Sequence, residues 1–190
     1  IRSRVYLYMG EWAKSLEASQ AVLDVKHDLE DMATSTVLPN EYNSSENILA
    51  LEQVMTSAYV RAAKVNTTLW RMYSSSDLRR SKYFNQVTAS NILVAKGGSN
   101  QYACSFRTGE IYLNAAEAAL MTGEAAIDVA RENLLTLMEK RYTANAYATK
   151  EAAVNAMGRD ELLQEIYNER TRELAFEGHR WFDLRRTTRP

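Results

Sequence analysis

The sequence predicts an all-α fold of paired helices, with long loops and a few short strands. Composition is the first observation: 46% of the 190 residues are apolar and only two are proline, which provides for a core and favours helix. Apolar residues also recur at three- and four-residue spacing in several segments, as in amphipathic helices. Turn-forming residues cluster between those segments. The length fits one domain, so we expect residues 1–190 to form a single domain.

The first element is a predicted helical hairpin over residues 2–25. Gly10 provides the turn, and Trp12, Leu16 and Leu23 follow at helical spacing. The pattern L-Y-M-G-E-W-A-x-x-L-x-A resembles a tetratricopeptide unit, in which small residues let two helices approach. The G-E-x-A pattern recurs at Gly123. We therefore predict tetratricopeptide-like hairpins with Gly10 and Gly123 at equivalent turns.

The middle of the chain has weaker patterns. Residues 26–46 are rich in turn formers and predict a loop. Short apolar runs predict strands at Ile48–Leu51 and at Val87–Val94, the latter ending at a Gly97-Gly98 turn. Residues 53–66 have helical composition, whereas residues 67–85 have no clean period.

Helical spacing returns in the second half of the chain. It predicts helices at about 106–121, 124–141 and 160–177. A polar, alanine-rich connection separates the last two, and Asn145–Met157 within it predicts a shorter helix.

The C-terminal stretch Ile166–Arg186 combines charged and large apolar residues. Glu169, Glu173 and Glu177 share one face of the predicted helix, which Gly178 interrupts. The stretch is either a solvated amphipathic helix or a packed element with paired, partly buried ions. We favour the packed element, because charged and aromatic residues alternate too closely for one face to hold either kind alone.

Arg170 illustrates this interpretation. It lies on an apolar stripe with Leu163, Ile166 and Leu174, where an unpaired cation would be costly. We therefore predict that Arg170 is buried and paired with a carboxylate of the same helix, from Glu173, Glu169 or Glu177.

The residues that could carry chemistry are few. His27 and His179 stand far apart, Cys104 is alone, and no nucleophile lies beside a base. We interpret Glu110, Glu117 and Glu124 as a solvated helix face rather than an acid–base pair. The sequence thus predicts neither an enzyme nor a bound cofactor or metal. A net charge of −1 gives no reason to expect a nucleic acid partner.

A binding role has better candidates in the irregular segment 66–85. Flat aromatic side chains beside hydrogen-bonding groups suit carbohydrate or peptide ligands. We predict that Trp70, Tyr73, Asp77 and Arg79 contact a ligand. The alternative is that the aromatic residues anchor a long loop to the helices; for Trp70 the two interpretations are equal, and for Tyr73 the anchor is favoured. Elsewhere, we expect Trp181 to belong to the core.

The stretch E-R-T-R-E-L-A-F-E-G-H-R-W-F-D-L-R-R, Glu169 to Arg186, resembles the C-terminal signature of the SusD/RagB family. The segments R-V-Y-L-Y-M-G-E-W-A-K-S-L-E-A-S and F-R-T-G-E-I-Y-L-N-A-A-E-A-A-L resemble this family more loosely. The resemblance assigns a structural role to the signature residues, which are Glu169, Arg170, Glu173, Glu177, Arg180, Trp181, Asp183 and Arg185.

The resemblance also implies a function. Members of this family are nutrient-binding lipoproteins on the outer-membrane surface of Gram-negative bacteria, and they work beside a SusC-like TonB-dependent transporter. It implies an oligosaccharide or a peptide as ligand, the oligosaccharide being favoured. Members are several hundred residues long and carry an N-terminal export signal and lipidated cysteine, so we expect this chain to be a fragment or a reduced member. The alternative function is a helical-repeat scaffold that binds another protein.

Overall fold

A computed structural model of the chain describes residues 1–51, 64–96 and 104–188. Most of the predicted helical segment 53–66 lies outside the described residues, as do Gly97 and Gly98. The described part is mainly helical with a few short strands, so the all-α prediction is confirmed.

The helices that the sequence predicts within the described residues lie close to their predicted bounds, and three shorter helices, α3, α4 and α9, were not predicted. Those within the described ranges are α1 Arg2–Met9, α2 Trp12–Leu23, α3 Thr67–Arg71, α4 Arg79–Lys82, α5 Thr108–Thr122, α6 Ile127–Glu139, α7 Ala144–Ala156, α8 Arg159–Glu173 and α9 Arg180–Thr187. The largest difference is the end of α8, at Glu173 rather than at Glu177. None of these helices is long and apolar enough to cross a bilayer.

Both predicted hairpin glycines terminate a helix. Gly10 has a φ of +74° and its N–H bonds back to the carbonyls of Leu7 and Tyr6, which closes α1 before α2 begins. Gly123 ends α5 with a φ of +142°, and a short 3₁₀ turn at Glu124–Ala126 leads into α6. The two turns thus occupy the same place in their hairpins with different backbone conformations.

Helix α5 is the centre of the helical layer. It packs against α1, α2, α6 and α8, and thirteen of its fifteen residues are buried. Small side chains such as Ala115, Ala116 and Ala119 permit this close approach from several sides. Its apolar residues join those of α6 and α8, including Leu134, Ile166 and others, in the main core.

A smaller second core lies under a two-stranded hairpin. Strands β2 Phe84–Gln86 and β3 Ile92–Val94 pair antiparallel and bury aromatic and aliphatic side chains with α3. The predicted single strand Val87–Val94 is therefore wrong in its first half. Residues 87–91 form the turn, because the Asn91 N–H bonds to the Thr88 hydroxyl at 3.0 Å and holds the chain in a reversal.

The remaining strands join distant parts of the chain. β1 Asn47–Leu51, as predicted near Ile48–Leu51, pairs antiparallel with β4 Cys104–Arg107. The predicted loop 26–46 contains no helix or strand. Segment 67–85 is less irregular than its pattern indicates: it contains α3 and α4, and the Asn66 side chain caps α3 by accepting from the Thr68 N–H at 2.7 Å.

Candidate functional site

The most charged part of the interior surrounds Glu173, the last residue of α8. Its carboxylate accepts from Arg107 Nη1 at 2.6 Å, Arg79 Nη1 at 2.9 Å and Arg141 Nε at 3.0 Å. All four side chains have no exposed surface. Burial alone would raise the pKa of Glu173, but the charges of Arg141, Arg107 and Arg79 outweigh it and hold that pKa well below its usual range.

Further ion pairs extend this centre. Glu46, from the loop before β1, binds Arg141 at 2.5 Å and Arg107 at 3.0 Å. Glu169 on α8 accepts from Arg79 and from Arg172. We call the buried residues of this connected set the buried ion network; its members are Glu46, Asp77, Arg79, Lys96, Arg107, Arg141, Glu169, Arg172, Glu173 and Glu177. Five buried cations therefore meet five buried carboxylates, so the signature up to Glu177 is a packed element with paired ions.

The turn after α8 completes the network. Phe176 and Gly178 adopt positive φ values of +64° and +82°, and this turn directs Glu177 inward. Glu177 accepts from Arg107 Nη2 at 2.7 Å and from Lys96 Nζ at 2.5 Å. Burial alone would raise the pKa of Glu177, yet the charges of Arg107 and Lys96 lower it to about 2. Burial lowers the pKa of Lys96 to about 8, with Glu177 opposing the shift.

The predicted ligand-contacting residues lie in the interior. Asp77 and Arg79 belong to the buried ion network, and Tyr73, fully buried, donates its hydroxyl to the Arg172 carbonyl at 2.7 Å. Trp70 is 8% exposed; its ring meets Phe84 edge-on at 5.5 Å, and the Arg80 guanidinium lies over it at 4.3 Å. The exposure expected of Trp70 is absent because the β2–β3 hairpin packs on α3. A ligand contact by these residues stays a prediction.

Arg170 is buried as predicted, but its predicted partner is wrong. Its Nε donates to Asp183 at 2.9 Å and its Nη1 to Asn114 Oδ1 at 2.6 Å. The carboxylates of its own helix are occupied by other cations, and the turn after α8 brings α9 back so that Asp183 faces Arg170.

The prediction of a solvated face for Glu110 and Glu117 is also wrong. Both carboxylates are buried. Arg4 donates from Nε to Glu110 at 2.6 Å, and Arg186 forms an ion pair with Glu117. The partners come from the two ends of the chain, so the spacing along α5 could not reveal them.

Trp181 is 66% exposed, so the prediction that it belongs to the core is wrong. Asp183 points inward to Arg170, and a residue two positions earlier on a helix points about 200° away from it. Phe182, between them, stacks on Tyr8 of α1 with ring centroids 6.1 Å apart. The spacing of two residues between Trp181 and Asp183 was visible in the sequence, but only the structure shows that Asp183 points inward and hence that Trp181 points outward.

Beside Trp181 lies a groove of about 580 Å³ between α3 and the segment that joins α8 to α9. We call it the Trp181 groove. Apolar side chains line part of it, namely Leu69, Met72, Leu174 and Phe176, and Lys64 and Arg180 add positive charge. An exposed indole beside an apolar groove with polar groups is suited to binding a ring-shaped ligand.

His179 lines the same groove but is buried. Burial lowers the pKa of its imidazole to about 4; nearby Glu110 opposes this shift and Arg170 adds to it. The ring is therefore neutral at pH 7.

The family model that describes the SusD family matches residues 18–189. The chain belongs to the SusD family. No curated protein sequence is significantly similar to it.

Solved structures of the SusD superfamily share the fold. A SusD superfamily protein from Bacteroides thetaiotaomicron superimposes with a TM-score of 0.73 at 24% identity, over 97% of this chain and 48% of that one. A SusD-like carbohydrate binding protein from Bacteroides vulgatus superimposes with a TM-score of 0.72 at 19% identity. The superposition covers 97% of this chain and 43% of that one. Surface glycan-binding protein A from Bacteroides uniformis superimposes with a TM-score of 0.67 at 18% identity. The superposition covers 98% of this chain and 48% of that one. The chain thus spans about half the length of these SusD structures.

Gly109 tests the packing of the buried ion network. A Cβ at this position would lie 2.4 Å from Arg107 Nη1, 3.0 Å from Glu46 Oε2 and 3.1 Å from Glu173 Oε1. We expect Gly109→Ala to lower the free energy of unfolding by about 3 kcal/mol, because it must displace buried ion pairs. Urea unfolding measures this loss. Gly158→Ala is the control, because the nearest atom to a Cβ at this position would be Glu161 Oε2 at 3.9 Å. We expect it to lower the free energy of unfolding by less than about 1 kcal/mol. Equal losses would contradict the tight packing.

The Arg170–Asp183 pair makes a second prediction. We expect Arg170→Met to lower the free energy of unfolding by about 3–5 kcal/mol, because it removes one of the two arginines that pair with the buried Asp183. Adding Asp183→Leu should recover part of the loss, and a double-mutant cycle in urea measures the coupling. Arg185→Met is the matched control, since Arg185 is an exposed arginine on α9, the helix that carries Asp183. Additive losses in the cycle would show that the two residues do not depend on each other.

His179 predicts a pH dependence of stability. The unfolded chain takes up this proton near pH 6.5, whereas the folded protein takes it up only near pH 4. The free energy of unfolding should therefore fall as the pH falls from 6.5 to 4, by about 3 kcal/mol from this residue. Urea unfolding measured at several pH values over this range should show that the free energy of unfolding depends less on pH in His179→Gln than in the parent chain. In His27→Gln this pH dependence should be unchanged. The same slope in both variants would refute the assignment to His179.

Proposed function

We propose that this protein binds a nutrient oligomer, specifically a glycan, at the outer-membrane surface and delivers it to a SusC-like TonB-dependent transporter. The observation that carries the proposal is the 66% exposed indole of Trp181 beside a groove of about 580 Å³. An indole has the broadest flat apolar face of any side chain and can stack on the C–H face of a pyranose.

Membership of the SusD family supports this proposal. Two similar structures are described as a SusD-like carbohydrate binding protein and a surface glycan-binding protein. The transporter partner and the lipid-anchored location follow the same family relationship and are part of the proposal.

The proposed role is capture without chemical change. The acidic residues of the buried ion network are buried and paired with arginines, and Glu177 also with Lys96, so they offer no free general acid or base. The polar groups around the Trp181 groove suit binding rather than a nucleophilic attack, since none of them is a nucleophile held by a base.

A helical-repeat scaffold is the second candidate, and one observation favours it. Val5 and Met9 on α1 and Ile1 just before it form an exposed stripe at four-residue spacing, with exposed fractions of 46%, 65% and 72%. Such an apolar stripe is suited to packing against another helix. A purified protein that binds another helical protein and no glycan would favour this candidate.

Trp181→Ala tests the glycan site. A glycan array identifies a ligand for the purified chain, and calorimetric titration then measures its affinity. We expect Trp181→Ala to weaken binding by about 1–3 kcal/mol, as for the loss of a central aromatic contact, with little change in Tm because the ring is exposed.

Phe182→Ala is the matched control. Phe182 is the next residue on α9 and is 51% exposed, but it stacks on Tyr8 rather than lining the groove. Its removal should leave the glycan affinity unchanged. Equal affinity in both variants would show that the glycan binds elsewhere, and the absence of any glycan ligand would contradict the proposed function.

A further inference from the structure

We propose that the Trp181 groove selects an acidic sugar, that is, a glycan unit whose pyranose ring carries a carboxylate. This inference rests on the proposed function, because it names the ligand class of the same groove. It follows from three features of the lining, each judged among the described residues: two cations outside any ion pair, a carboxylate already neutralised, and a buried guanidinium nitrogen without a hydrogen-bond acceptor.

The first feature is the charge of the rim. Lys64 and Arg180 both line the groove and are exposed. Arg180 donates to the Thr171 hydroxyl at 2.9 Å, and within residues 1–51, 64–96 and 104–188 neither cation forms an ion pair. These two positive charges are available to a ligand, and neutral His179 adds none at pH 7.

The second feature is that Asp183, the carboxylate that lines the groove, is already paired with arginines. Asp183 lies 2.9 Å from Arg170 Nε and 2.9 Å from Arg186 Nη2. Its negative charge is matched by these two arginines, so it does not oppose an anion at Lys64 or Arg180. The charge that the groove offers is therefore positive, which complements an anionic ligand.

The third feature is Arg170, which lines the groove and is 2% exposed. Its Nε and Nη1 have acceptors, but its Nη2 has no hydrogen-bond partner in the described part of the chain and lies 4.0 Å from Glu110 Oε1. A buried guanidinium N–H without an acceptor is unfavourable. The oxygen atoms of a ligand bound in the groove would add hydrogen-bond acceptors near Arg170 Nη2.

These features fit a uronic acid better than an acidic peptide. In a uronic acid the carboxylate lies at the edge of a ring whose C–H face is flat. When that face stacks on Trp181, the ring edge is directed to the surrounding polar groups, and Arg180 is adjacent to Trp181 on α9. A guanidinium binds a carboxylate through two parallel hydrogen bonds, which provides orientation as well as charge. An acidic peptide has the charge without the flat apolar face.

The experiment compares matched ligands on the full chain. The panel contains oligomers of galacturonate, mannuronate and glucuronate, the same oligomers after reduction of their carboxyl groups, and a tetraglutamate peptide. We expect at least one acidic oligomer to bind about tenfold or more tightly than its reduced form. The difference should shrink as the salt concentration rises, because salt screens exposed charges.

Variants then locate the effect. Lys64→Gln/Arg180→Gln should weaken the acidic oligomer about tenfold and leave the reduced form unchanged. Arg185→Gln is the matched control, because Arg185 is an exposed cation on α9 that does not line the groove, and it should leave both affinities unchanged. Circular dichroism melts of all variants show whether each one is folded as the parent chain is.

The outcomes separate this inference from the proposed function. Equal binding of acidic and reduced oligomers, or an affinity that the double variant does not change, overturns the acidic selectivity. Tighter binding of tetraglutamate than of every glycan also overturns it. If a neutral glycan binds to the parent chain and Trp181→Ala abolishes this binding, the proposed function is supported and the acidic selectivity is overturned. Binding of no glycan of either kind overturns both.

Discussion

The fold depends on the pairing of buried charges around Glu173. Three arginines reach this one carboxylate, and they come from α4, from the end of β4 and from the residues after α6. Each buried charge would be costly if its partners were displaced, because the desolvation of an unpaired ion is far larger than the net gain from a paired one. The elements that supply these ions must therefore all be in place together, which ties the loop 26–46, both strand pairs and α8 to one arrangement.

This network also connects the two hydrophobic cores. Tyr142 belongs to the main core and Tyr73 to the smaller one, and the Arg79 guanidinium lies 5.4 Å from the first ring and 5.8 Å from the second. A cation between aromatic faces gains from both. The same position explains why Tyr73, Asp77 and Arg79 of segment 66–85 lie inside: they join the cores, whereas Trp181 and Phe182 on α9 are exposed.

The turn between α8 and α9 divides the signature into two parts with different roles. Its first part, up to Glu177, supplies buried carboxylates, and its positive φ values let the chain reverse so that Asp183 returns to Arg170. On the second part, the helical period that directs Asp183 inward also directs Trp181 outward. Buried and exposed residues thus alternate along a single short helix, and the groove lies where the two parts meet.

The sequence by itself determined the longer helices α5 to α8 and the first hairpin, the hairpin glycines, the all-α class and the burial of Arg170, because each depends on local spacing or on the cost of an unpaired cation. It also identified the family through the run from Glu169 to Arg186. Only the tertiary structure decided which ions pair, because the partners of Glu110, Glu117 and Glu173 are distant in the chain. It likewise exchanged the expected positions of Trp70 and Trp181: an indole is equally suited to a core and to a binding surface, so its surroundings in the folded chain, and not its residue type, fix which of the two it occupies.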